Sequence, residues 1–140
     1  MEPLTVHGDG LARRDWLFVE DLCRALDATV HAGSEVNGQV INIGTGCDID
    51  IKIIAEIIVD KMSQPRSLIT YIGDRPGQVF RHTSSTDKAK SILGWAAKTN
   101  FTDRIDKTIE WYRHNPKWWR KSLWMRKVPM ITKNGKKEFH

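Results

Sequence analysis

Three arginines and an asparagine stand at turns in this 140-residue chain: Arg14 beside Asp15-Trp16, Asn42 at the end of a β-branched run, and Arg75 and Arg81 around Pro76-Gly77. Guanidinium forks match pairs of phosphate oxygens, so this set suits a phosphorylated ligand. An arginine next to an aspartate equally suits a structural ion pair, as Arg14–Asp15 or Asp74–Arg75 would be. Spacing alone leaves the two readings level.

Two glycine-rich turns invite a test as phosphate cradles. Gly8-Asp9-Gly10 runs on into Leu-Ala-Arg-Arg, with no third glycine and no helix directly behind it. Gly44-Thr45-Gly46 does lie between a strand-like and a helix-like segment, but Cys47-Asp48-Ile49 follows it. An acidic side chain there stands where a dinucleotide fingerprint needs glycine and room for a pyrophosphate. Neither turn is expected to bind a cofactor. The chain has no Gly-Lys-Ser/Thr of a P-loop and no Gly-x-Ser-x-Gly elbow. His7, His31, His82, His114 and His140 form no i, i+4 ligand pair, so no metal site is expected. Neither Tyr71 nor Tyr112 has a lysine four residues on, and no catalytic residue is assigned.

The elements that must hold these residues alternate. Leu4-Thr5-Val6 reads as a strand ended by Gly8-Asp9-Gly10. From Glu20, the spacing of Leu22, Ala25, Leu26 and Val30 predicts a helix with those residues on its apolar face, ended by Gly33. Gln39–Ile43, β-branched and bounded by Gly38 and Gly44, predicts a strand. Asp50 suits the N-cap of a helix with Ile54, Ile57, Ile58 and Met62 on one face. Leu68 to Ile72 predicts another strand. Thr86 and Asn100 suit the caps of two more helices, one stopped at Gly94, the other carrying Phe101, Ile105, Ile109 and Tyr112 as its apolar stripe. The fold class expected is a small α/β layer structure. No complete βαβ unit opens the chain, which reads like the second half of something.

Composition narrows the function classes. A 40% hydrophobic share excludes a disordered chain, and no apolar run reaches bilayer-spanning length. Cys23 and Cys47 lie far apart in no metal or redox spacing, and the first residues show no secretion signal, so a reduced, cytoplasmic protein is expected. The net charge of +5 is concentrated at one end: residues 117–140 hold eight basic residues against Glu138 alone. Nucleic acid or a membrane is therefore not the expected partner of the body. The tail's cations are read as solvated, with Trp118, Trp119 and Trp124 packed back on the lobe. The alternative for this Trp-rich basic tail is an anionic membrane surface or single-stranded nucleic acid.

Six blocks, in order and separation, resemble the nucleotide-sugar epimerase/dehydratase branch of the extended short-chain dehydrogenases. They are Pro3 to Gly10, Arg14 to Asp21, Val40 to Gly44, Asp74 to Gly77, Ile92 to Trp95 and Ile109 to Tyr112. The resemblance is nearest to the dTDP-glucose 4,6-dehydratases and covers about residues 3–119. It implies the C-terminal, substrate-binding lobe of such an enzyme, without its Rossmann half. It implies that Arg14 and Arg75 contact the diphosphate of a nucleotide sugar, with Asn42 close by, and that Pro3 to His7 lies along the base. His7 stands where these dehydratases usually have Tyr, Gln78 where they have His after Pro-Gly, and Arg104 where Gly is common.

The family's Gly-x-x-Gly-x-x-Gly loop for NAD and its Tyr-x-x-x-Lys acid/base pair are both absent from these 140 residues. The resemblance thus implies NAD for the full-length family and none for this chain, which is expected to be catalytically incomplete alone, as a fragment or a truncated product. The expected organisation is a nucleotide-sugar-binding lobe over residues 1–119 and a basic tail over 120–140. Such a lobe is expected to expose apolar surface that a missing NAD-binding half, or self-association, would cover. A non-catalytic nucleotide-sugar-binding module would use the same Arg14, Asn42 and Arg75.

Overall fold

In a computed structural model, residues 2–74, 77–127, 129–131 and 137–139 are described. The structure is mixed α/β, and it divides into two compact units, Met1–Arg104 and Ile105–His140.

The first unit is built on two small sheets. β1 (Leu4–His7) pairs in parallel with β4 (Ile69–Ile72), in the register Leu4↔Ile69 to His7↔Ile72. A parallel pair needs a long crossover, and α2 (Ile51–Lys61) lies within it. Ile54, Ala55 and Val59 of α2 and Val6 of β1 are buried. The second sheet has the order β3-β2-β5: β2 (Arg13–Asp15) is central, antiparallel to β3 (Asp48–Asp50) and parallel to β5 (Arg81–His82). Its strands are only two or three residues long, too short for period-2 alternation to mark them in the sequence. What joins two of them is charge complementarity at one residue: Arg13 stands opposite Asp50 and pairs with both Asp50 and Asp48.

α1 (Val19–Val30) and α3 (Asp87–Leu93) lie where helices are expected. Together with Trp95 they form the second core, in which Ala25, Ala89 and Trp95 are buried with Leu17, Ile41, Ile43, Leu93 and Ala97 packed around them. The capping differs from expectation. Asp50 and Thr86 occupy N-cap positions, but neither side chain makes a capping hydrogen bond. Asp50 instead faces the Arg13 Nε at 3.3 Å. Asn100 does cap: its Oδ1 accepts from the Asp103 N–H at 2.9 Å, opening α4 (Phe101–His114).

Two further expectations are corrected. Gln39–Ile43 is not a strand. Its β-branched residues state a preference, but a strand exists only beside an edge that accepts its hydrogen bonds, and no described strand pairs with it. The segment is held instead by Ile41 and Ile43 in the core and by Lys88, whose Nζ donates to the Val40 carbonyl at 2.9 Å. Of the expected apolar face of α1, only Ala25 is buried; Leu22, Leu26 and Val30 are exposed, together with Val19. The face turned inward carries Ala25 and the wholly buried Asp21. Asp21 accepts from the backbone N–H groups of Lys98 (3.0 Å) and Thr99 (3.2 Å) and pairs with Arg24. A buried carboxylate with three donors is compatible with a core, whereas an unpaired one is not.

In the second unit, α4 continues to His114 and α5 (Pro116–Arg120) follows, with Pro116 in its first turn. Tyr112 is exposed, unlike the rest of the stripe expected on α4. Its ring meets Trp111 edge-on at 5.2 Å and Trp119 at 6.2 Å. Of the three tryptophans expected to pack back, Trp119 is half-buried and donates from Nε1 to the Tyr112 carbonyl at 2.9 Å, while Trp118 and Trp124 are exposed, at 59% and 66%. Trp118 lies edge-on to Trp111 at 5.0 Å, with the Lys121 ammonium over its ring, so aromatic and cation–π contacts take the place of burial. β6 (Pro129–Ile131) and β7 (Lys137–Phe139) pair antiparallel.

Candidate functional site

The polar sheet, the Thr83-Ser84 segment after β5 and Asn42 border an open cleft of about 450 Å³, lined by Arg14, Asp15, Asn42, Arg81, His82, Thr83 and Ser84. That volume lies within the range of small-ligand sites.

The cleft is shaped by Asp15. Its carboxylate accepts from the Thr45 N–H (2.9 and 3.0 Å to the two oxygens), the Thr45 hydroxyl (2.6 Å), the Gly46 N–H (3.0 Å) and the Ser84 N–H (3.3 Å). Burial acts to raise the Asp15 pKa, but the hydrogen bonds from Thr45, Gly46 and Ser84 outweigh it and hold the carboxyl below the ordinary aspartate value. The Gly44-Thr45-Gly46 turn does present converging N–H groups, as an anion cradle should, but the anion they hold is the chain's own carboxylate. Those groups do not fit the diphosphate of a dinucleotide. Asp15 is therefore not the ion-pair partner of Arg14. Gly44 is confined for the same reason: a Cβ there would lie 2.5 Å from Ser84 Cβ and 2.6 Å from Asp15 Oδ2.

The three arginines of the sheet differ in how their charge is met. Arg13 is paired with Asp48 and Asp50. Arg81 donates from Nε to Asp48 Oδ2 at 2.6 Å. Arg14 donates from Nη1 to two neutral carbonyls, those of Arg13 (2.7 Å) and Phe80 (3.4 Å), and among the described residues no carboxylate pairs with it. Its side chain is thus fixed while its charge stays uncompensated. Asp48 is buried at its side chain and serves Arg13, Arg81 and Thr83 together. The Thr83 hydroxyl, then Arg81 and Arg13, hold its carboxyl below the ordinary value against the opposing effect of burial.

Of the residues singled out in the sequence, Arg14, Asn42 and Arg81 meet in the cleft. His7 and Gln78 do not line it; His7, at the end of β1, places Nδ1 3.0 Å from the Gly73 carbonyl. Arg75 lies outside the described residues, and so does the Asp74–Arg75 pairing. The roles of Asp15 and Asp48 had no motif to mark them. Arg104, which replaces a common family glycine, donates from Nε to the Thr99 carbonyl at 2.6 Å and from Nη1 to the Trp16 carbonyl.

Residues 1–108 match the family model for GDP-mannose 4,6 dehydratase. The chain belongs to that family. It is thereby placed among the NAD-dependent nucleotide-sugar dehydratases and epimerases, as the sequence resemblance implied. A dTDP-glucose 4,6-dehydratase of Escherichia coli is 40% identical over 131 residues, a match that takes in 86% of this chain and 36% of that protein. The crystal structure of a dTDP-glucose 4,6-dehydratase from Bacillus anthracis in complex with NAD superposes with a TM-score of 0.75 at 31% identity, covering 86% of this chain and 37% of that one. A UDP-glucose 4-epimerase from Thermotoga maritima, solved with UDP-glucose, gives a TM-score of 0.76 at 27% identity, covering 82% and 36%. The chain thus spans about a third of the length of the relatives it matches, and its mixed α/β fold matches that part of their structures. No helix among the described residues is long and apolar enough to cross a membrane.

Proposed function

We propose that this chain binds the nucleoside diphosphate of a nucleotide sugar, as the substrate-binding portion of a 4,6-dehydratase or epimerase. The observation that carries the reading is Arg14: a guanidinium fixed by two carbonyls at a cleft, with no described carboxylate to neutralise it. A diphosphate supplies the missing charge. Asn42 lines the same cleft, and no described residue satisfies its side-chain amide, which leaves both donor and acceptor for the ligand. Arg75 is assigned to the diphosphate as well, Gln78 to a polar contact beside it, and Pro3 to His7 to the base.

NAD, when bound in the family, takes and returns the hydride. The residues of this chain offer it neither a free glycine cradle nor a Tyr-x-x-x-Lys pair, so no chemical step is assigned to them. Their part is to bind and orient. Turnover on this reading requires an NAD-binding portion beyond these 140 residues. The exposed stripe Val19, Leu22, Leu26 and Val30, with Val40 nearby in sequence terms on the unpaired Gln39–Ile43 segment, is the surface we assign to that portion.

Titration calorimetry of the chain with dTDP, UDP and GDP, with NAD as control, tests the reading. Saturable binding of a nucleoside diphosphate that is lost in Arg14→Ala and Arg75→Ala, without NAD binding, is the expected result. Binding unaffected by both substitutions overturns it.

A further inference from the structure

One carboxylate organises two of the three arginines of the polar sheet, Arg13 and the cleft-lining Arg81. Asp48 is 1% exposed at its side chain, and its two oxygens are divided: Oδ1 receives the Arg13 Nε, while Oδ2 receives the Arg81 Nε at 2.6 Å and the Thr83 hydroxyl. The Thr83 Oγ1 in turn accepts from the Arg81 Nε at 3.2 Å, so that edge of the guanidinium is held twice. Neither terminal nitrogen of Arg81 has a partner among the described residues, although the side chain is 62% exposed and lines the cleft beside Arg14. An arginine anchored through Nε keeps its two terminal amino groups for a second acceptor, and the anchor removes the rotamer freedom that binding would otherwise have to restrict.

We infer that Arg81 is a further diphosphate-binding residue and that Asp48 is its positioning residue, fixing the Nε edge so that the terminal amino groups serve an anion held by Arg14. This inference rests on the diphosphate reading of the cleft. Asp48 touches no ligand in this arrangement; it acts through Arg81. Thr83 completes the anchor from the same strand end, and Arg13, paired with Asp48 and Asp50, is spent on the sheet itself.

A double-mutant cycle on the chain, read as dTDP, UDP or GDP affinity by calorimetry, tests it. Arg81→Ala is expected to weaken binding about tenfold, the effect of losing one charge-assisted contact, and Asp48→Asn by a comparable factor. The double variant is expected to bind no more weakly than Arg81→Ala alone, because Asp48 has nothing left to position. If Asp48→Asn weakens binding as much in the Arg81→Ala background as in the parent, Asp48 acts on the fold at large and the inference is overturned. Wild-type affinity in both single variants, with Arg14→Ala still defective, overturns it while leaving the cleft reading intact. Absence of nucleotide binding by the parent chain overturns the cleft reading and this inference with it. Should Asp48→Asn fail to fold by circular dichroism, Arg81→Lys decides: it keeps the charge and lacks the fork, so weakened binding supports the inference and parental affinity overturns it.

Discussion

Asp15 and Thr45, thirty positions apart, are joined by a carboxylate that receives both the N–H and the hydroxyl of the threonine, at 2.9 and 2.6 Å. The contact links the central strand of the polar sheet to the turn that follows Asn42 and Ile43, and so ties the Asn42 side of the cleft to the Arg14 side. Converging amides that could hold a foreign phosphate are filled from within, and the diphosphate reading therefore rests on the arginines.

Asp15→Asn replaces one acceptor oxygen with an NH2 group facing N–H donors. Its cost is expected to be about 2 kcal/mol, the loss of charge-assisted hydrogen bonds at a part-buried site. Urea denaturation of parent and variant measures it, and an unchanged midpoint would show that the turn stands without its carboxylate.

The pH dependence of stability has a definite sign. The folded-state pKa values of Asp15 and Asp48 are both lowered, so each carboxylate contributes stability that is present above the ordinary aspartate range. That contribution is lost as pH falls through the folded values, which lie below the ordinary aspartate value. Melting temperature is expected to decline as pH drops below that value, and less steeply in Asp15→Asn, which has no proton to take up there. Parallel profiles for the two proteins would remove Asp15 from the account.

Gly44→Ala would drive a methyl group into Ser84 and Asp15 at less than 3 Å. Overpacking at such a point is expected to cost about 1–3 kcal/mol. Nucleotide affinity is expected to fall with it, because Asn42 lies two residues away. A variant as stable as the parent would mean that the turn relaxes freely.

Asp21→Ala removes the acceptor of two backbone N–H groups, those of Lys98 and Thr99, from a wholly buried site. A loss of about 2–4 kcal/mol is expected, from two donors left unsatisfied. Hydrogen exchange should report it first at the amides of Lys98 and Thr99; protection unchanged there would contradict the role.

Leu26→Lys and Val30→Lys address the exposed stripe of α1. At 56% and 79% exposure, both changes are expected to alter stability by less than about 0.5 kcal/mol. Self-association measured by sedimentation is expected to fall. A large drop in melting temperature would show that the stripe belongs to the core after all.

The sequence by itself determined the helices α1 to α4, the β1 and β4 strands and the family, because each rests on local information; α5, which starts at Pro116, was not among its expectations. Helical spacing predicts α1, α2 and α3, the Asn100 cap opens α4, and six ordered blocks carry the resemblance. It also placed Arg14 and Asn42 together, though only through that resemblance. Tertiary structure decided the rest. A three-residue polar strand such as Arg13–Asp15 has no periodicity of its own, and it is held because Arg13 finds both Asp48 and Asp50 on the neighbouring strand. Gln39–Ile43 has the composition of a strand but no described edge to pair with. The apolar residues of α1 state that a face must be covered, yet which face turns inward depended on Asp21 finding its donors across the chain. Whether an arginine is spent on structure or left for a ligand depends on which carboxylate comes within reach, a matter of distances between residues 30 and more positions apart. Only the folded chain sets those distances.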